Sequence, residues 1–327
     1  MNTMGSPLYR LTFDAAELLR DHPPRLRHPH KRALLELAYP GGRSPAGEVE
    51  VTRWPQAVPA SFALPASLAA DVRPDFYDYA PVATPAVEWH VNFADPHLFY
   101  AYGGGLFAQD EMQVAEHPIL GSVREALLAR GLAAETVAGR EATPVLVRNV
   151  ERRLAVATDV NAAAGRPQGL YGNRFSRAPW DAVRRATRVF DPPTRTNLIA
   201  MAAPSGGQGA YSVGEIASVF ATAHTAFAAA VAESAGCPVI VHTGFWGCGA
   251  FGGNRRLMTA LQALAARSAG VARLVFHAGD VAGAEEAQRG LDLADAVAYR
   301  CGSPCSPGDV SNRLATLEFR WGVSDGN

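Results

Sequence analysis

The sequence predicts a layered α/β protein, and three observations lead there. From Val87 onward, short apolar runs alternate with amphipathic stretches, as strands alternate with helices. The last third contains an unbroken β-α-β-loop-α-β run. Before Val87 a proline-rich stretch replaces both patterns.

The elements follow in order. Near the start, Asp14 with Glu17 three residues on forms a capping box for a short helix. Residues 32–37 read as a second helix and 48–52 as a strand. Pro55, Pro59, Pro65, Pro74, Pro81 and Pro85 then exclude any regular helix, since each removes a donor and fixes φ. Residues 1–85 are therefore expected to be an irregular extension wrapping a core supplied by 86–327. In that core, 87–93 is a strand, 109–116 a helix interrupted at Pro118, and 120–130 its continuation. Residues 145–150, 154–160 and 198–202 are strands. Ser212 and Glu215 make a capping box for a helix whose apolar face is Ile216, Val219, Phe220, Ala223, Phe227 and Val231, and Gly236 ends it. A buried strand at 238–243, a glycine-rich loop at 244–253, a helix at 254–267 and a strand at 271–277 complete the run.

Composition narrows the function classes. With 48% hydrophobic and 19% charged residues, the 327-residue chain is an ordinary globular protein. A formal charge of −1 gives no basic field for a nucleic-acid backbone. Neither a cationic-apolar leader nor a run of eighteen apolar residues appears, which disfavours export and membrane insertion. Cys237, Cys248, Cys301 and Cys305 are too few for a disulfide scaffold, so a cytoplasmic location is expected. The Cys301/Cys305 pair reads as a surface turn, with a loop clip or metal site as the sharper alternative. His90, His242 and His277 lie on strands and read as core histidines; no HExxH or clustered set argues for a metal, and no cofactor is expected.

Two loops carry the chemistry. Gly244 to Gly253 is rich in glycine and stands between a buried strand and a helix start, where backbone amides and the positive helix end suit a diphosphate. A tight turn plugged by Phe245, Trp246 and Phe251 is the plainer explanation. Gly247, Gly249 and Gly252 also satisfy the dinucleotide fingerprint, but the acid wanted about twenty residues on is missing: Asp280 comes later. A nicotinamide-dependent oxidoreductase is therefore disfavoured. The second feature runs from Asn92, near the end of a strand, and Asp95 through the triplet Gly103, Gly104 and Gly105 to Gln109, Asp110 and Glu111 at a helix start. Acids in a first helical turn commonly serve only the helix dipole. Here a glycine-rich loop feeds into them, a way to bring a carboxyl group against a sugar.

Together these motifs resemble the poly(ADP-ribose) glycohydrolases. The stretch 246–253, followed by Asn254 and a helix, is similar to that family's diphosphate loop, and the glycine triplet with Gln109, Asp110 and Glu111 is similar to its catalytic signature. The resemblance implies a macrodomain-like three-layer α/β/α fold with a central mixed sheet. It implies a hydrolase that cleaves the ribosyl bond of an ADP-ribosyl polymer or ADP-ribosylated protein. The alternatives are hydrolysis of a small ADP-ribosyl conjugate and non-catalytic ADP-ribose binding. It places Glu111 on the catalytic glutamate, Asp110 on a ribose-contacting acid, Gln109 on the signature glutamine and Asp95 on a ribose-contacting asparagine. Gly247, Cys248, Gly249, Ala250, Phe251 and Gly252 fall on the diphosphate loop, and Tyr171 on an active-site tyrosine. Where the family stacks a Phe on adenine, this sequence has Ala278, with Phe276 two residues earlier. Only three residues separate Gly105 from Gln109, fewer than in the family, which brings Tyr100 and Tyr102 to places where the family has glycine and implies a reshaped ribose pocket.

Overall fold

The computed structural model describes residues 4–63, 68–81 and 85–326, so Pro65 lies outside the described residues. The strands are β1 (Tyr9–Asp14), β2 (Glu48–Arg53), β3 (Ala69–Arg73), β4 (Val87–Ala94), β5 (Val137–Ala138), β6 (Glu141–Ala142), β7 (Val145–Val156), β8 (Thr187–Ala202), β9 (Val239–Gly244) and β10 (Arg273–His277). The first five helices are α1 (Ala15–Asp21), α2 (Pro29–Ala38), α3 (Gln109–Glu116), α4 (Ile119–Ala129) and α5 (Arg174–Arg177). The others are α6 (Trp180–Ala186), α7 (Val213–Glu233), α8 (Arg255–Ala269), α9 (Val281–Cys301) and α10 (Pro307–Ala315).

One mixed sheet of eight strands runs β1-β2-β7-β8-β4-β9-β10-β3. Its first four strands pair antiparallel. From β8 through β4, β9 and β10 to β3 the pairing is parallel. Strand alternation sorts the side chains between two cores. On β8, Ile199 and Met201 join the apolar faces of α7, α8 and α10, while Leu198 and Ala200 join residues of α1, α3 and α4. Helices thus cover both faces, the three-layer α/β/α arrangement that the resemblance implied. The Ser212 cap is present, its hydroxyl accepting from the Glu215 amide at 3.2 Å. Helix α7 is long and apolar enough to cross a membrane, yet most of it is packed inside the protein.

Among the described residues, the N-terminal part of the chain is not an irregular wrap. β1 and β2 form one end of the sheet, and β3 forms the other by pairing with β10. Leu18, Leu34, Val49, Val51 and Trp54 are buried in the cores. Pro55, Pro59, Pro74, Pro81 and Pro85 stand in the links between strands, where missing donors do no harm. The proline series reports those links and is silent about where the strands between them pair. A boundary at residue 85 divides one sheet.

Two smaller expectations also change. The strands read at 145–150 and 154–160 are one strand, β7, ending at Val156, with register shifts between Val147 and Val150 and between Arg152 and Leu154. Such irregularities bend a strand without ending it. Cys305 is not in a surface turn: it is buried in the core and exchanges backbone hydrogen bonds with Phe62 at 2.8 and 2.9 Å. Cys301 and Cys305 are both free thiols.

Candidate active site

The site opens where two parallel strands part. β9 pairs with β4 from Val87 to His90, whereas β8 follows β4 from His90 to Ala94. Past His90 the β9 side of β4 needs other partners. Gln109 supplies them: its side-chain oxygen accepts from the Phe93 amide at 2.7 Å, and its nitrogen donates to the Val91 carbonyl at 3.1 Å. The Tyr77 hydroxyl lies 3.1 Å from the carbonyls of both Val91 and His242, bridging the gap. Outside these carboxyl ends lies a cavity of about 720 Å³. Open α/β sheets bind ligands in such a crevice, and the volume suits a nucleotide-sized molecule.

One wall is the first turn of α3. Glu111 and Asp110 both line the cavity, yet both are buried, at 4% and 6% exposure. Glu111 Oε2 accepts from the Ala108 amide at 3.1 Å, which fixes the carboxyl at the helix start. Asp110 Oδ1 accepts from Asn92 Nδ2 at 3.0 Å. Asn92 faces α3 because strand parity sends its neighbour Val91 into the opposite core. Asn92 therefore stands behind Asp110, outside the cavity lining. Burial raises the Asp110 carboxyl well above its ordinary range, with the neighbouring Glu111 charge adding to it. Burial also raises Glu111, opposed mainly by Lys31.

A raised carboxyl leaves a signature in stability. The folded protein keeps a proton that the unfolded chain has already lost, so stability falls as pH rises from the ordinary carboxylate value through the folded one. Glu111→Gln is therefore expected to have the higher urea midpoint at neutral pH, with the gap closing below about pH 4. Equal midpoints at both pH values would rule out a desolvated carboxyl at 111.

The opposite wall is the glycine loop. Hydrogen bonds from the Cys248 amide to Phe245, from Gly252 to Gly249 and from Gly253 to Gly247 fold it, at 3.0, 3.0 and 2.8 Å. Trp246, fully buried, donates to the Met201 carbonyl at 2.9 Å and anchors the loop from beneath. Gly247 has φ +76, and a Cβ there would meet Ala203 Cβ at 2.5 Å. Gly247, Cys248, Gly249, Ala250 and Phe251 line the cavity; Gly252, with φ +68, lies outside the lining. Asn254 caps α8, accepting from the Leu257 amide at 3.1 Å, so the positive end of that helix adjoins the loop. Tyr171 and Asp95 also line the cavity. Tyr171 accepts from the Gln109 amide, and burial pushes its hydroxyl up to about 12.

Other expected site residues are placed elsewhere. The triplet at 103–105 does not line the cavity. The Gly103 carbonyl accepts from the amides of Arg27 and His28, and a Cβ on Gly103 would meet the Arg25 carbonyl oxygen at 2.3 Å. Gly105 packs likewise against Ser176, with a Cβ contact of 2.9 Å. These glycines admit another stretch of the chain, not a ligand. Gly103→Ala is accordingly expected to cost about 1–3 kcal/mol of stability while changing ADP-ribose affinity less than about threefold; chemical denaturation and calorimetry measure the two. Of the two tyrosines before the triplet, Tyr100 lines the cavity, whereas Tyr102 is buried and donates to Glu125 at 2.9 Å. Phe276 is fully buried, packed with Ala278 and Ala287, and does not line the cavity. The next two residues, His277 and Ala278, do.

Several lining residues were not read from the sequence. Phe76, Tyr77 and Tyr79 come from the proline-punctuated link, where no periodicity marks an inward side. Arg255 stands at the first position of α8, its guanidinium carbon 4.6 Å from the Phe245 ring centre. A cation at a helix N-terminus opposes the dipole, and that mismatch just after a glycine loop was a readable signal for an anion. Val323 and Asp325 of the C-terminal segment also line the cavity, with Gly322 donating to the Gly252 carbonyl at 2.7 Å. Glu116 lines it too, but its oxygens accept from Arg152 Nε at 3.1 Å and from the Val156 amide at 2.9 Å.

The strand histidines form a cluster that their separate positions in the sequence did not reveal. Glu88 Oε2 lies 3.0 Å from His242 Nε2, and His242 Nδ1 lies 3.2 Å from His277 Nε2. Glu88, His90 and His242 bring potential ligand atoms within 4.8 Å of one another. The rings of His90 and His242, however, stack at 4.2 Å with planes 10° apart. Lone pairs in parallel ring planes do not converge on a single ion, whose bonds to imidazole need about 2.0–2.1 Å. Burial lowers His242 and His277 to about 4. The stacked geometry does not fit a metal; Glu88, His242 and His277 form a hydrogen-bonded chain, and His90 stacks beside it with both ring nitrogens buried and unbonded.

Comparison with known proteins bears on this geometry. Residues 171–284 match the sequence model of the family described as poly(ADP-ribose) glycohydrolase (PARG), macro domain fold. Among solved structures, the poly(ADP-ribose) glycohydrolase of Thermomonospora curvata aligns at 18% identity and a TM-score of 0.48, over 85% of this chain and 97% of that one. The Deinococcus radiodurans enzyme in complex with ADP-ribose aligns at 13% identity and a TM-score of 0.44, over 87% and 94%. No protein with a curated function matches in sequence. The matched stretch contains Tyr171, the glycine loop and Asp280, while Asp110 and Glu111 precede it. The chain resembles the poly(ADP-ribose) glycohydrolase family, and the family's sequence model finds that resemblance over the part that carries the diphosphate loop.

Proposed function

We propose that this protein hydrolyses the ribosyl glycosidic bond of an ADP-ribosyl group, on a polymer or a modified protein, and releases ADP-ribose. The observation that carries the reading is a shared cleft: the buried carboxyl of Glu111 and the glycine loop 247–251 line one cavity. The loop and the N-terminus of α8 suit a diphosphate, and Arg255 adds a charge-assisted partner. Protonated Glu111 gives its proton to the oxygen leaving the anomeric carbon, and the C–O bond breaks as an oxocarbenium-like centre forms. The ligand's own diphosphate, held close by, stabilises that cation. Ionised Glu111 then takes a proton from the attacking water, which restores the acid. Asp110, held by Asn92, orients the ribose hydroxyls. Gln109 acts at one remove by tying α3 to β4.

The adenine side differs from the expected pattern. With Phe276 in the core, the phenylalanine rings available to a base are Phe76, Phe93, Phe245 and Phe251, which line the cavity. Tyr100, exposed at the cavity wall, favours a second reading in which a small ADP-ribosyl conjugate is the substrate. Incubating the protein with poly(ADP-ribose), a mono-ADP-ribosylated protein and small ADP-ribosyl conjugates, and measuring free ADP-ribose, tests both. Release from none of them, with ADP-ribose bound tightly in calorimetry, would leave a binding module in place of an enzyme.

A further inference from the structure

Lys31 is the only lysine among 30 basic residues, and it is buried to 3% exposure. Removing an ammonium from water costs several kcal/mol unless something answers it. Here the answer is the main-chain carbonyl of Glu111 at 3.3 Å, with the ring centres of Phe107 and Phe175 at 4.8 and 5.7 Å. The charge therefore sits directly beneath the turn that carries Asp110 and Glu111. A helix N-terminus is already positive, so a cation there is not placed for the helix's own stability. Lysine also differs from the arginines used everywhere else: its ammonium is compact and, when buried, able to shed its proton.

We propose that Lys31 is a positioning residue for the reaction at Glu111: it holds the first turn of α3 through the Glu111 carbonyl and places a buried positive charge under the turn that presents the acid/base carboxyl. The inference rests on Glu111 being the acid/base group. The titratable groups around the pair are Asp110 on α3, Asp95 after β4, His28 and His30 at the start of α2, and Tyr171 and Asp325 across the cleft. Burial brings the Lys31 ammonium down to about 8, opposed by the charges of Glu111 and Asp110. In return, Lys31 restrains the rise that burial imposes on Glu111. One carboxyl that must act as acid and then as base works best with a proton affinity near the working pH. Without the cation Glu111 rises further, and the ionised form that activates water becomes scarce.

A single lysine makes the test direct. In the full chain labelled with ¹³C at lysine Cε, one signal reports the site. Its midpoint is expected near 8 in the wild type and lower in Glu111→Gln, because the facing carboxylate is gone. The same midpoint in both proteins would overturn the proposal. In kinetics, Lys31→Met is expected to lower kcat by about 10–100-fold. The alkaline limb of kcat/KM should move up by about one pH unit. Lys31→Arg, which keeps the charge, is expected to return that limb to the wild-type position even if it lowers kcat. An unmoved limb in a folded, active Lys31→Met protein would also overturn it. If Lys31→Met does not fold, the labelled-lysine titration decides. Full turnover by Glu111→Gln instead sinks the catalytic reading, whichever way the lysine titrates.

Discussion

Glu111→Gln is expected to lower kcat for ADP-ribose release by about 10²–10⁴-fold while leaving the affinity for ADP-ribose within about threefold. Two features separate turnover from binding. The glutamine is nearly isosteric and can still accept from the Ala108 amide, so the turn that presents residue 111 persists. The diphosphate is expected on the other wall, at residues 247–251. What the variant loses is the proton exchanged at one carboxyl in both halves of the reaction. Steady-state kinetics beside calorimetry measures the two quantities, and a parallel fall in both would point to a ribose-binding role for Glu111. The rise in neutral-pH stability expected for the same variant links the two: a desolvated carboxyl weakens the fold where it serves the chemistry.

Gly247→Ala is expected to weaken ADP-ribose binding by about 100-fold, or about 2.7 kcal/mol. A side chain at φ +76 is strained, and its Cβ would strike Ala203 Cβ at 2.5 Å, so the loop has to move. Movement misaligns the backbone around residues 248–251, the part that faces the cleft. The variant is also expected to be less stable by about 1–3 kcal/mol. Gly103→Ala provides the contrast, with a comparable stability loss and near-normal binding. Unchanged affinity in Gly247→Ala would deny the loop its role.

These two glycines also show what can be read from a sequence. The loop at 244–253 was legible because glycines between a buried strand and a helix start have few uses, and the structure folds it as a turn against the cleft. The triplet at 103–105 looked equally permissive, but a glycine says only that something approaches closely. At Gly103 that neighbour is the Arg25 carbonyl. Asp110 and Glu111 were readable as a first helical turn, and α3 has the expected limits. Phe276 lies one residue short of the cleft: the lining starts at the last residue of β10, His277, and continues through Ala278, Gly279 and Asp280. β1 and β3 escaped because short strands declare themselves only through partners, and β3 pairs with β10 some two hundred residues away. Lys31 carried no local pattern at all, since its role depends on an α2–α3 contact that only folding creates.

A crystal structure of Glu111→Gln with ADP-ribose bound tests the central claim most directly. The expected result is the diphosphate on the 247–251 loop and the anomeric carbon of the distal ribose within about 4 Å of the residue 111 side chain. A ligand seated in the cleft with that carbon far from residue 111, or a diphosphate held away from the loop, would contradict it.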